Sequence, residues 1–131
     1  MKRIEVVAAV IVNNEKRILC AQKSGNGNDA YKWEFPGGKV EANESHSQAL
    51  IREIKEELNL DIDVRSLIVE TTHQTKKHII VLKAFSATIT GGKMIETVHH
   101  QIKWKRIENL KNLDWLDADW NILDDIISHL N

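Results

Sequence analysis

The chain has 131 residues, a length that fits one domain and buries roughly two thirds of its unfolded surface, so a core needs no disulfide. With 42% hydrophobic and 28% charged residues it has an ordinary globular composition, which excludes a disordered chain. A net charge of −1 excludes the broad basic footprint of a stable nucleic-acid partner and leaves room for the few cations a mononucleotide needs.

Cys20 is the sole cysteine and lies in the apolar stretch 17–21, which predicts a buried, reduced thiol. The apolar run 6–12 is too short for a signal segment or a membrane span, so a cytoplasmic protein without a membrane partner is expected. Nothing repeats, and residues 1–131 are expected to form a single domain. Residues 4–12, rich in Val and Ile, predict a strand ending in the turn Asn13-Asn14-Glu15. Residues 17–23 predict a second strand, and the short turn between the two predicts a hairpin. A polar loop at 24–29 leads to a short extended piece at 32–35, halted by a tight turn at Pro36-Gly37-Gly38-Lys39.

Residues 45–58 predict the best-marked helix of the chain. Ser45 and Gln48 suit a capping box, Leu50, Ile51, Ile54 and Leu58 make one apolar stripe, and Asn59 falls where a left-handed residue closes a helix. Strands are predicted at 62–72, 78–90 and 94–104, with a turn at Gly91-Gly92. An amphipathic helix is predicted at 120–130 through Ile122, Leu123, Ile126, Ile127 and Leu130. This order gives a mixed sheet flanked by helices, α/β in class or α+β by bookkeeping.

Glu53, Glu56 and Glu57 stand at i, i+3 and i+4, on one face of the predicted helix. Arg52 can pair with Glu56, and Lys55 can offset charge nearby, which leaves two carboxylates uncompensated. A hard divalent cation with carboxylate and phosphate oxygens as ligands answers that repulsion; a solvated charged face is the other reading. The glycines just before the helix favour the cation, because they let a ligand reach backbone carbonyls and amides.

Together these residues resemble the Nudix signature G-x5-E-x7-R-E-U-x-E-E-x-G-U, where U is a bulky aliphatic. Gly38, Glu44, Arg52-Glu53, Ile54, Glu56-Glu57 and Leu60 match it, and Asn59 stands in place of the late glycine. Trp33-Glu34-Phe35-Pro36-Gly37-Gly38-Lys39-Val40-Glu41 is similar to the same run in the MutT branch. Val6-Val7-Ala8-Ala9-Val10-Ile11 and Ala118-Asp119 resemble the CTP pyrophosphohydrolase subgroup.

The resemblance implies an α/β/α sandwich with a mixed sheet, and substitution at a phosphorus of a nucleoside diphosphate linked to X. For MutT-like members it implies water attacking the β-phosphorus of a nucleoside triphosphate, giving a monophosphate and pyrophosphate. Oxidised dGTP is one implied substrate; CTP, dCTP and modified pyrimidine nucleotides are the other. Mg²⁺, with Mn²⁺ as a substitute, is the implied cofactor. Glu56 and Glu57 are the implied main metal ligands, assisted by the Gly37 or Gly38 carbonyl. Glu53 becomes general base or second metal ligand, and Arg52 orients a glutamate within the catalytic set. Glu44 either reaches the metal through water or supports the turn.

Lys23 reads as a phosphate contact or as a solvated strand-end lysine, and Phe35 and Lys39 join it as substrate-binding candidates. Asp119 is the base-reading candidate: an ionised carboxylate only accepts hydrogen bonds, which suits the amino-bearing edges of cytosine or guanine. Trp115 and Trp120 flank the polar set Asp114, Asp117 and Asp119, and one of them is free to stack on a base. The bland alternative makes Asp119 a helix N-cap.

Many MutT-like members carry one more metal-binding Glu six residues before a tryptophan like Trp104, followed by His. Here that position is Val98, with His99 next and Glu96 two residues earlier. Either Glu96 or His99 takes the role, or the site has one ligand fewer. His73, His78, His100 and His129 lack metal-ligand spacing and read as surface or strand residues. Two other functions stay open: a hydrolase of dinucleoside polyphosphates or nucleotide sugars, and a catalytically silent nucleotide-binding sensor. The complete set of signature glutamates speaks against the sensor.

Overall fold

Strand β1 (Lys2–Ile11) organises the architecture, which a computed structural model describes for residues 1–96 and 98–131. Its residues 7–11 are all buried, and successive strand residues face opposite sides, so both faces require cover. Val7, Ala9 and Ile11 pack with Leu50, Ile54 and Leu58 of helix α1 (His46–Leu58). Ala8 and Val10 pack with Ile122, Leu123 and Ile126 of helix α2 (Asp117–Leu130). Sheet material thus lies between two helices, the α/β/α sandwich that the resemblance implied.

The remaining strands are β2 (Arg17–Gln22), β3 (Trp33–Glu34), β4 (Gly37–Lys39), β5 (Leu60–Gln74), β6 (His78–Gly92) and β7 (Gln101–Arg106). They form a four-stranded mixed sheet in the order β4-β1-β6-β5 and a three-stranded antiparallel sheet in the order β3-β2-β7. In the first, β1 runs parallel to β6 and antiparallel to β4. Among the described residues no helix is long and apolar enough to cross a membrane.

Four local expectations are corrected. The expected hairpin shrinks to its turn: the Asn13 side chain accepts from the Glu15 and Arg17 amides, and Val12 bridges Ile18. Beyond that bridge both edges of β1 are occupied by β4 and β6, so β2 must build a second sheet. Of the expected tight turn at 36–39 only a bend at Pro36 remains, and Gly37–Lys39 form strand β4, paired with Val6, Val7 and Ala8. The strand expected at 94–104 is realised only as β7, because the chain must cross from one sheet to the other. Ile95 bonds to the Leu58 carbonyl on the way, and Thr97 lies outside the described residues. Helix α2 begins three residues early, at Asp117; its first turn is acidic, which suits the positive end of the helix dipole. The 3₁₀ helix at Ile107–Asn112 was not anticipated.

Helix α1 forms as its sequence dictates. Ser45 and Gln48 close a reciprocal capping box, and Asn59 ends the helix at φ 58° and ψ 33°, donating its amide to the Lys55 carbonyl. The Asn59 side chain also donates to the Lys93 carbonyl at 3.0 Å, tying the helix end to the chain that leaves β6. Left-handed backbone costs an ordinary L-residue about 1–2 kcal/mol, and Asn is among the few that tolerate it. Asn59→Ala is therefore expected to lose about 1 kcal/mol in urea unfolding, with Asn59→Gly closer to the parent. Equal stability of parent and Asn59→Ala would show that the cap carries no weight.

Candidate active site

The site begins where α1 crosses β4. A Cβ on Gly37 would run into the backbone at Val7 and Ala8, and one on Gly38 into the Glu53 carboxylate. Glycine at 37 lets β4 lie against β1, and glycine at 38 leaves the space that the Glu53 carboxylate occupies beside the strand. The Gly37 amide hydrogen-bonds Glu57 across the same junction.

Arg52 is the counter-charge of the cluster. It reaches Glu44 at 2.7 Å, Glu53 at 3.0 Å, Glu56 at 3.4 Å and Glu41 at 3.7 Å, and donates to the Lys39 carbonyl at 3.0 Å. Glu44 also accepts from the Glu41 amide at 2.8 Å, and Arg52 with that amide holds its carboxyl down to about 2. Of the two roles open to Glu44, the geometry displays support of the turn. Lys55 does not offset the acidic face as expected, since it pairs with Asp61 at 3.3 Å.

Burial raises Glu53 in spite of Arg52, with Glu56 and Glu41 adding to the rise. Glu57 is pushed up to about 8, first by burial and then by the charges of Glu34, Glu53 and Glu56. Among the described residues no three His, Cys, Asp or Glu side chains converge as a ready metal cage. Glu56 is mostly exposed and turned toward Arg52, so the carboxylates surround the junction without closing on one point. The donor set is nevertheless all hard oxygen, and a divalent cation would offset both the burial and the like-charge repulsion that raise Glu57. The residues fit such an ion.

A cavity of about 180 Å³ opens beside this junction, lined by Val6, Ala8, Glu34, Phe35, Gly37, Gly38, Ile80, Leu82, Leu116 and Asp119 among others. Asp119 lies in the first turn of α2 and is 5% exposed. It accepts from the Phe35 amide at 3.4 Å. Burial pushes its carboxyl up to about 8, helped by Glu34 and opposed by the Phe35 amide and Lys23. Burial thus raises the Asp119 carboxyl above the ordinary aspartate range on which the acceptor-only expectation rested. Asp119 is not an N-cap, since Leu116 holds that position without a side-chain bond.

The tryptophans and remaining acids also move from their expected places. Trp115 is fully buried, stacks on Phe35 at 4.6 Å and donates to the Leu110 carbonyl at 2.7 Å, which makes it core. Trp120 is exposed and does not line the cavity. Asp114 pairs with Lys32 at 3.0 Å, and Asp117 is exposed. Phe35 gives its backbone amide to Asp119, and its ring packs on Trp115 in the core beside the cavity. Lys23 is half-buried at the end of β2 and its charge is felt at Asp119. The Lys39 side chain lies outside this cavity, in a groove with Lys2, Arg3 and Glu41. Cys20 is buried and its thiol is pushed up to about 12, as a reduced core cysteine should be.

Sequence reasoning missed Glu34. It lines the cavity, and its Oε2 lies 3.2 Å from Nε2 of His99, whose side chain is 4% exposed. Of the three candidates for the additional acidic position, Glu96 and Val98 are exposed, and only His99 turns inward. The signal available in sequence was a charged residue between the buried Trp33 and Phe35.

Sandwich, glycine strand and acidic helix edge are together those of a Nudix hydrolase. The chain belongs to that family: the NUDIX domain matches residues 2–126. It is 36% identical over 124 residues to the CTP pyrophosphohydrolase of Escherichia coli (strain K12), covering 95% of this chain and 91% of that one. It is 34% identical over 95 residues to the 8-oxo-dGTP diphosphatase of Proteus vulgaris, covering 72% of this chain and 85% of that one. The solution structure of the E. coli ORF135 protein matches with a TM-score of 0.85 at 34% identity, over 98% of this chain and 91% of that one. Nudix hydrolases generally use divalent metal ions, and these relatives act on small nucleotides.

Glu57 and Asp119 are both raised in the folded protein, so their stabilising share is complete below the unfolded carboxyl value and is lost as pH rises through about 8. The metal-free protein is expected to melt at progressively lower temperature across that window. Glu57→Gln should flatten part of the fall and melt higher than the parent on the alkaline side. A parent melting temperature that rises over the same window would remove both acids from the buried, protonated state.

Proposed function

We propose that this Nudix hydrolase is a Mg²⁺-dependent nucleoside triphosphate pyrophosphohydrolase, with cytosine nucleotides as the favoured substrates and oxidised dGTP as the second candidate. The observation that carries this reading is the single cavity whose walls include both Asp119 and the Gly37-Gly38 strand against which the helix carboxylates lie. A base held at one end directs its phosphates to the other. The CTP pyrophosphohydrolase relative supports cytosine, and the 8-oxo-dGTP diphosphatase relative supports oxidised guanine.

In this reading Glu56 and Glu57 hold the cation, with the Gly37 or Gly38 carbonyl assisting. A divalent cation supplies charge neutralisation on the phosphates and acidifies the attacking water. Glu53, fixed between Gly38 and Arg52, takes the proton of that water. Arg52 holds Glu53 in place, and Lys23 meets phosphate charge from the end of β2. Water attacks the β-phosphorus, the bond from that phosphorus to the bridging α–β oxygen breaks, and that oxygen leaves with the monophosphate. The atoms balance as triphosphate plus water giving monophosphate plus pyrophosphate.

Hydrolysis of CTP and oxidised dGTP in ¹⁸O-water with Mg²⁺ should place the label in pyrophosphate. Glu53→Gln should slow turnover about 10²–10⁴-fold without lowering the melting temperature. Label found only in the monophosphate would move the attack to the α-phosphorus, and absence of cleavage of any triphosphate would end this reading.

Asp119 makes base choice depend on pH. As a neutral acid it offers one O–H donor and one acceptor, which match N3 and the N4 amino group of cytosine. Once ionised it only accepts, which matches the N1–H and N2 amino donors of guanine. The ratio of kcat/KM for CTP to that for oxidised dGTP is therefore expected to fall as pH passes about 8. Asp119→Asn, an amide that does not titrate, should make the ratio flat. A parent ratio that is already independent of pH would separate Asp119 from base choice.

A further inference from the structure

One wall of the cavity carries a charge that neither the cation nor the base needs. Glu34 stands on β3 opposite Ala21, on the cavity side of the strand, while its neighbours Trp33 and Phe35 are buried in the core under α2. It is held there by His99 Nε2 at 3.2 Å. The histidine side chain is 96% buried by its 4% exposure, and its Nδ1 has no hydrogen-bond partner among the described residues. Burying an imidazole with one nitrogen unsatisfied has a cost, which marks the contact with Glu34 as one the fold maintains.

Glu34 lines the same cavity as Asp119, Gly37 and Gly38. Its charge is the leading carboxylate influence on both Asp119 and Glu57. In a nucleotide the group between base and phosphate is the sugar, whose exposed polar atoms are hydroxyl donors. A carboxylate offers about four acceptor sites, and the histidine takes one of them. We propose that Glu34, clamped by His99, accepts a hydrogen bond from a sugar hydroxyl and so makes this hydrolase discriminate between sugars. Glu34 is then the specificity residue and His99 its positioning residue. This inference rests on the nucleotide reading of the cavity.

The test uses triphosphates with one base and three sugars: CTP, its 2′-deoxy form and its 3′-deoxy form, so that the contribution of Asp119 cancels. One charge-assisted hydrogen bond corresponds to about tenfold or more in kcat/KM, so the parent should lose about that much when the recognised hydroxyl is removed. Glu34→Ala should bring the ratio close to one while the Mg²⁺ concentration for half-maximal rate stays unchanged. Glu34→Gln, which keeps an acceptor oxygen, should retain part of the discrimination, and His99→Ala should lose most of it. Calorimetric binding of the matching monophosphates without metal should show the same ordering, independently of turnover. A parent indifferent to both hydroxyls, or a Glu34→Ala ratio equal to the parent's, overturns the proposal. A several-fold higher Mg²⁺ requirement in Glu34→Ala with the sugar ratio unaltered overturns it in favour of a metal ligand. A parent that cleaves no triphosphate at all overturns the nucleotide reading first.

Discussion

Two backbone positions without room for a side chain set the geometry on which the rest of the site depends. Gly37 is pressed against the β1 backbone at Val7, and Gly38 against the carboxylate of Glu53. Strand β4 is thereby pinned on both sides, to the sheet by hydrogen bonds and to α1 by close approach. A methyl group at Gly38 would meet the far end of the Glu53 side chain and displace that carboxylate from its place beside the strand. Helix α1 itself is held by supports independent of that contact. The capping box fixes its start, the Asn59 cap fixes its end, and Leu50, Ile54 and Leu58 anchor the opposite side in the core.

The charge pattern follows from that packing. Arg52 is one cation facing four acids, and its reach is uneven. Glu44, closest to it and also bonded to the Glu41 amide, is stabilised as an anion. Glu53 sits at 3.0 Å from the guanidinium yet is raised, because burial outweighs the ion pair. Among the acids raised by burial, Glu57 is held by the Gly37 amide and pushed up to about 8. Acids gathered at one helix edge are therefore shifted in opposite directions, Glu44 down and Glu53 and Glu57 up. Identical side chains differ here through the neighbours that the fold assigns them.

The signature residues were legible in the sequence because each is dictated by something local. The glycines answer a close approach, Ser45 and Gln48 answer each other across one turn, and Glu53, Glu56 and Glu57 share a face by helical spacing. What escaped depends on residues far apart in the chain. Glu34 meets His99 across 65 positions, and no periodicity announces such a pair. The rise of the Asp119 carboxyl depends on burial by distant elements, whereas the sequence offered only the ordinary acidity of an aspartate. The hairpin expectation failed for a related reason. Asn13 makes the turn chemistry of a hairpin, but a strand has two edges, and those of β1 are taken by β4 and by the distant β6.

Glu57 and Asp119 each break the rule that charges are kept out of the interior, and both feel the charge of Glu34, which lines the cavity with Asp119. Each is met by a backbone amide, from Gly37 or Phe35, and burial raises its carboxyl toward the neutral form. Burial is the first cause of both shifts, and the charge of their common neighbour Glu34, which contacts His99, adds to each. Departures from ordinary sequence rules that serve no core or cap tend to collect where a ligand will compensate them. Here the compensation differs by end: a cation answers the carboxylates against β4, and a hydrogen-bonding edge answers the acid on α2. The sandwich contributes the fixed separation between the two. Helices α1 and α2 pack on opposite faces of β1, so the distance between the acidic edge and Asp119 is held by the core itself.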